Sequence, residues 1–275
     1  MGKTRIVLCG GCDVTAICRY IKRTNNVKMI IHNSTKTWMN SISYYWAQYL
    51  DNIRIPDYQN YGVYYPNDDI FGSNVDVLVI SLLGEIGEGI YKNKGNSSYL
   101  LFGFPNVDAT KNPEFYAEST RIEDKHILEY IVNKCEYVGE SSPSDIVDNY
   151  RKILSKINPR AKIYIILGPT FKSDFCEKNY YFQNVDGVEK NDCLNNAMIN
   201  EFRDNKNVIF INPKKFYKKP KRRAQMYYYN YPSIRHYPRS TYFRIAIWLR
   251  RKNRSLKISY KEFFIFIKEQ FRKKI

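Results

Sequence analysis

The chain lacks any apolar run approaching the roughly 18 residues that a membrane-spanning helix requires. Its first apolar run, Ile6 to Cys9, stops at Gly10-Gly11, too short for the core of a signal peptide, so we expect a cytoplasmic protein. No G-x-G-x-x-G and no G-x-x-x-x-G-K-[ST] occurs, which removes the motif case for dinucleotide or P-loop nucleotide binding. A second CxxC to accompany Cys9-x-x-Cys12 is also missing. With six scattered cysteines and no export signal, we expect reduced thiols and no metal site. Histidine is scarce: only His32, His126 and His236 can supply an imidazole. From Lys214 to Lys274 acidic residues almost vanish, leaving only Glu262 and Glu269.

What the chain does have is enough apolar material for a core. Of its 275 residues 44% are hydrophobic and 16% aromatic, 25 of them tyrosine, which excludes a disordered polymer. The net charge of +17 suits an anionic partner: nucleic acid, an anionic membrane surface, or a phosphorylated donor. It is also what a solvated Lys-rich surface would give, and a nucleic-acid reading would rest on charge alone, so nucleic acid is not the expected partner.

Arg5 to Cys9 reads as a buried strand entering a glycine turn, and Val14, Ile17, Cys18 and Ile21 then repeat at helical spacing. Val27 to His32 and the β-branched run Val75 to Leu83 read as further strands, with a helix over Ser41 to Leu50 between them. Helices are expected over Asp124 to Cys135 and Pro143 to Ile157, the latter opened by Ser142-Pro143-Ser144-Asp145. Ala161 to Leu167 and Val208 to Asn212 complete the strands, around a helix over residues 191–205. Glu85 to Ser119, rich in Gly, Asn, Tyr and Pro, reads as a long loop or insertion over the site edge. Alternating strands and helices predict an α/β three-layer sandwich on a mostly parallel sheet, with functional residues beyond the strand carboxyl ends. We assign residues 1–250 to this domain, with the insertion at about 85–119, and residues 251–275 to a basic amphipathic helix packed on or flanking it.

The turn Gly10-Gly11-Cys12-Asp13 bends sharply and delivers Cys12 to a helix N-terminus, where orphan N–H groups favour a thiolate. A thiol nucleophile needs a base, and His236 is the candidate. The bland alternative for Cys12 is a small residue filling a tight turn, and for any one histidine a packing role. His32 could face the site from the end of its strand, whereas His126 reads as a surface or packing residue.

The segment Val7-Leu-Cys-Gly-Gly-Cys-Asp13 resembles the first block of the SGNH/GDSL hydrolase superfamily, in which a strand ends in Gly-Asp-Ser and the serine is the nucleophile. Cys12 stands at that serine's place. Val75 to Ser81 is similar to the strand before the family's Gly-x-Asn block, Ala161 to Pro169 to its later strand, and His236-Tyr237-Pro238 to the block that supplies the base. The layout is also similar to WcbI-like and other SGNH-like proteins of capsule and surface-polysaccharide loci, which carry a Gly-x-Cys turn. The resemblance spans residues 5–250 and implies an SGNH/flavodoxin-like sheet. Two departures stand out: the Gly-x-Asn block falls at Gly84-Glu85-Ile86, without its Asn, and the acid three residues before the histidine is Ser233.

The resemblance implies an acyltransferase or esterase acting on a carbohydrate in surface-polysaccharide biosynthesis, with Cys12 as nucleophile and His236 as base. Asp13 or Glu85 would be the third member, and the backbone N–H groups of Gly11, Cys12 and Gly84 an oxyanion hole. No cofactor is required, and acyl-CoA is a possible donor whose phosphates the basic segments could hold. Arg235, Arg239 and Arg244 could clamp a carboxylate or phosphate. The alternative is a non-catalytic protein of the same fold that binds a glycan or another anionic partner. The final segment, Ser259 to Ile275, offers contact with an anionic membrane surface, so a position peripheral to the inner face of the membrane is also expected.

Overall fold

A computed structural model of the chain describes residues 5–24, 26–31, 41–55, 66, 70–71, 75–104, 106–117, 125–170, 185–217, 237, 239–261 and 264. Five parallel strands make the main sheet: β1 (Ile6–Gly10), β2 (Val27–Ile31), β3 (Val77–Ser81), β7 (Lys162–Ile166) and β8 (Val208–Ile211), in the order β2-β1-β3-β7-β8. The order runs outward in both directions from β1 and β3, the doubly wound flavodoxin-like arrangement.

Period-two alternation separates the two faces. Val7 and Cys9 of β1, Leu78 and Ile80 of β3, and Ile163 and Ile165 of β7 pack on one side; there they meet α2 (Ile42–Leu50), α5 (Pro143–Ser155) and α6 (Val185–Phe202). Ile6, Leu8, Val77, Val79, Tyr164 and Ile166 point the other way, onto α1 (Cys12–Cys18) and α7 (Arg239–Lys252). Burial on both faces explains the nearly continuous apolar runs of these strands and gives the three-layer α/β sandwich expected from the sequence.

The segment expected as a long loop folds instead. Gly89–Asn93 (β4) and Tyr99–Phe102 (β5) pair antiparallel, and Cys135–Glu140 (β6) joins β4 on its other edge. The short α3 (Pro113–Ala117) and α4 (Lys125–Lys134) lie between β5 and β6. Strands of four to six residues broken by Gly and Asn leave too little alternation to be recognised in sequence. This small sheet is fastened to α2. The Gln48 amide donates to the Tyr99 carbonyl (3.0 Å) and accepts from the Tyr99 amide (2.6 Å), while Tyr45 Oη accepts from Leu101 N (3.1 Å).

The capping box at Ser142 and Asp145 forms as expected and starts α5. The boundary placed at residue 251 falls inside α7. After Lys252 the chain pairs with the residues that follow α1, with Leu256 buried and Ile258 bridging Ile21. Of the expected final helix, residues 262–263 and 265–275 lie outside the described residues. Among the described residues no helix is long and apolar enough to cross a membrane.

Candidate active site at the strand-order reversal

β1 and β3 are adjacent parallel partners, with Cys9 opposite Ile80, so their carboxyl ends leave the sheet side by side. A parallel doubly wound sheet opens a crevice at such a reversal, because successive connections depart to opposite faces. The chain leaving β1 is Gly10-Gly11-Cys12-Asp13; the chain leaving β3 is Ser81-Leu82-Leu83-Gly84-Glu85.

Gly10 is required by this close approach: a Cβ there would collide with Val14 Cγ2 and come within 3.0 Å of Ser81 Cβ. Helix α1 starts at Cys12, two residues earlier than its apolar periodicity indicates. Gly11 occupies the N-cap position, and its carbonyl accepts from both the amide (3.0 Å) and the hydroxyl (2.9 Å) of Thr15. Cys12, the first helical residue, is exposed, while Cys9 is buried among the side chains facing α2. The two members of the CxxC therefore differ in burial, and among the described residues no group of metal-binding side chains forms.

Asp13 is only 3% exposed. Its Oδ1 accepts from Val14 N (2.7 Å), and its Oδ2 from Ser81 Oγ, which in turn accepts from Leu83 N (3.0 Å). Burial pushes the Asp13 carboxyl up to about 6, and the bonds from Ser81 and Val14 oppose that rise. Sequence reading did not single out Ser81. The available signal was a lone hydroxyl ending an otherwise apolar buried strand, a group that must find a partner.

Glu85 faces the other layer and is 1% exposed. Five donors converge on its carboxylate: Ser41 Oγ (2.6 Å), Ser43 Oγ (2.7 Å), Tyr150 Oη (2.7 Å), and the amides of Ile42 (3.0 Å) and Ser43 (3.2 Å). The two amides open α2, so Glu85 caps that helix from a distant part of the chain and ties it to α5. Burial raises its carboxyl above the ordinary value against the pull of these donors. Gly84, beside it, takes φ +90°, a conformation that favours glycine. At the end of β7, Asn195 holds both the amide (2.9 Å) and the carbonyl (3.0 Å) of Gly168, pinning that turn to α6.

His236 and Arg235 lie outside the described residues, as does His32, and Arg239 is described only as the start of α7. The neighbour of His236 is placed: Tyr237 is buried, and its amide donates to Tyr242 Oη (3.1 Å). Burial pushes that hydroxyl well above its ordinary value, and the nearby Asp13 and Cys12 raise it further. Helices α1 and α7 pack against each other within one core cluster. Arg244 is tied to the carbonyl of Phe216 (3.0 Å), at the end of the 3₁₀ turn Pro213–Phe216. His126 is exposed on α4, its Nδ1 3.8 Å from Glu129 Oε2. The chain matches no protein-family model, and no curated protein matches it.

Proposed function

We propose that the chain is an SGNH-like acyltransferase or ester hydrolase acting on a carbohydrate in surface-polysaccharide biosynthesis, with Cys12 as nucleophile and His236 as base. The observation that carries the reading is the placement of an exposed Cys12 at the β1/β3 reversal, as the first residue of α1. His236 precedes Tyr237 in the chain. The carbohydrate acceptor rests on the resemblance of the Gly10-Gly11-Cys12-Asp13 turn to the SGNH first block.

In this reading the imidazole takes the thiol proton, and Sγ attacks the acyl carbonyl carbon of an ester or an acyl-CoA. Backbone N–H groups of Gly11, Cys12 and Gly84 stabilise the oxyanion. Collapse breaks the carbon–oxygen or carbon–sulfur bond of the donor, and the imidazolium protonates the leaving group. A sugar hydroxyl or water then takes the acyl group from Cys12. Asp13 acts as a positioning residue, since its two oxygens hold the first turn of α1 and the end of β3.

A second reading, a non-catalytic glycan-binding protein of the same fold, is favoured by one observation: the Glu85 carboxylate is already taken up by five donors from α2 and α5. Incubation with acetyl-CoA or a short-chain nitrophenyl ester, followed by intact-mass and peptide analysis, separates the two. An acyl adduct on Cys12 that vanishes in Cys12→Ser supports the enzyme. An unmodified Cys12 with no turnover, alongside retained glycan binding, supports the binding protein.

A further inference from the structure

The α1/α7 layer concentrates charge at the end remote from Cys12. Helix α1 begins at the candidate site. Past the end of α1 come the exposed Lys22 and Arg23; α7 closes with exposed Arg250 and Arg251, followed by Arg254 and Lys257. The two ends are stitched together by the Ile21–Ile258 bridge and by two backbone bonds of 2.7 Å, Lys22 N to Lys257 O and Ser259 N to Tyr20 O. Residues 14–24 and 237–261 contain no Asp or Glu. On the opposite layer the pattern differs, with Lys152 paired to Asp51, Arg151 to Glu201 and Lys190 to Glu140. A generic solvated surface mixes the two signs in that way.

Tyr260 and Phe264, which follow Lys257 in the chain, are 58% and 60% exposed. Phosphates alone would be met by the cations; an exposed aromatic pair suits the headgroup depth of a bilayer, where amphipathic and aromatic rings settle. We propose that this end of the α1/α7 layer docks on an anionic lipid bilayer, its cations on the headgroup phosphates and its aromatic pair at headgroup depth. Docking this end turns the Cys12 end of the same layer away from the lipid, so the candidate site remains open. The inference is independent of the chemistry proposed for Cys12.

The test is co-sedimentation of the full chain with vesicles of phosphatidylcholine containing about one-third phosphatidylglycerol, against pure phosphatidylcholine. Binding to the anionic vesicles alone, released by salt, is expected. The triple variant Arg250→Glu/Arg251→Glu/Arg254→Glu, at exposed positions, should lose about tenfold or more in affinity with an unchanged melting temperature. The double variant Tyr260→Ser/Phe264→Ser should bind more weakly while keeping its salt dependence. Equal binding to both vesicles, no binding to either, or a folded triple variant that binds as the parent does would overturn the proposal. So would a single-stranded RNA that binds more tightly and strips the protein from the vesicles.

Discussion

Ser81 Oγ donates to Asp13 Oδ2, so the last residue of β3 and the first turn of α1 share one buried carboxylate. That carboxyl titrates at about 6 in the folded chain against an ordinary 3.8, so folding takes up a proton between those values. Stability contributed at this position therefore falls as pH rises from 3.8 to about 6, and at neutral pH the buried charge costs about 3 kcal/mol. Asp13→Asn removes the titration. Urea unfolding at a series of pH values should show parent and variant converging as pH falls from 7 to 4. A parent-to-variant difference independent of pH would refute the assignment.

Gly10 sets the distance between these two elements. Gly10→Ala places a methyl against Val14 Cγ2 and Ser81 Cβ in a packed interior, where overpacking costs about 1–3 kcal/mol. Because the displaced atoms include the partner of Asp13, the variant should also change the pH dependence described for Asp13. Chemical denaturation at pH 7 and pH 5 reads both effects.

Glu85 is expected to be worth more to the fold than to chemistry. Glu85→Ala strands five donors in the interior and should cost about 3–5 kcal/mol. Glu85→Gln keeps an acceptor for the amides of Ile42 and Ser43, and the Ser41 and Ser43 hydroxyls can rotate to accept, so the loss should be about 1–2 kcal/mol. If acylation of Cys12 survives in Glu85→Gln at its parent rate, Glu85 is an anchor. A folded Glu85→Gln protein that has lost acylation would restore it as the third member.

The sequence yields the parts of this fold that local pattern determines. β1, β3 and β7 are legible because strands covered on both faces are apolar throughout, and α5 because Ser142 and Asp145 form its capping box. The insertion sheet escapes because β4 and β6 interrupt their alternation with Gly89 and Gly139, at a register shift between Ile90 and Tyr91. Helix α7 escapes because its apolar positions are interspersed with arginines, and its burial comes from packing on α1 and β7. At the site, Cys12 and Asp13 follow from the glycine turn beside them. The pairing of Asp13 with Ser81 joins residues 68 apart, and that of Glu85 with Ser41 joins residues 44 apart, so neither has a local signature.

The burial of the thiols separates the cysteines without reference to any substrate. Cys9, Cys18 and Cys135 are buried; burial pushes the Cys9 thiol well above its ordinary value and those of Cys18 and Cys135 up to about 12. Cys12 and Cys193 are exposed. Native alkylation with iodoacetamide at pH 7.5, about one unit below the ordinary thiol range, should modify Cys12 and Cys193 and spare Cys9, Cys18 and Cys135 until denaturant is added. Cys193 lies on α6 in the opposite layer and serves as the internal reference for an exposed thiol. Alkylation of Cys12 that outpaces Cys193, with a rate that flattens above neutral pH, would identify a thiol activated by a base. Equal rates rising together with pH would leave Cys12 an ordinary exposed cysteine and favour the glycan-binding reading.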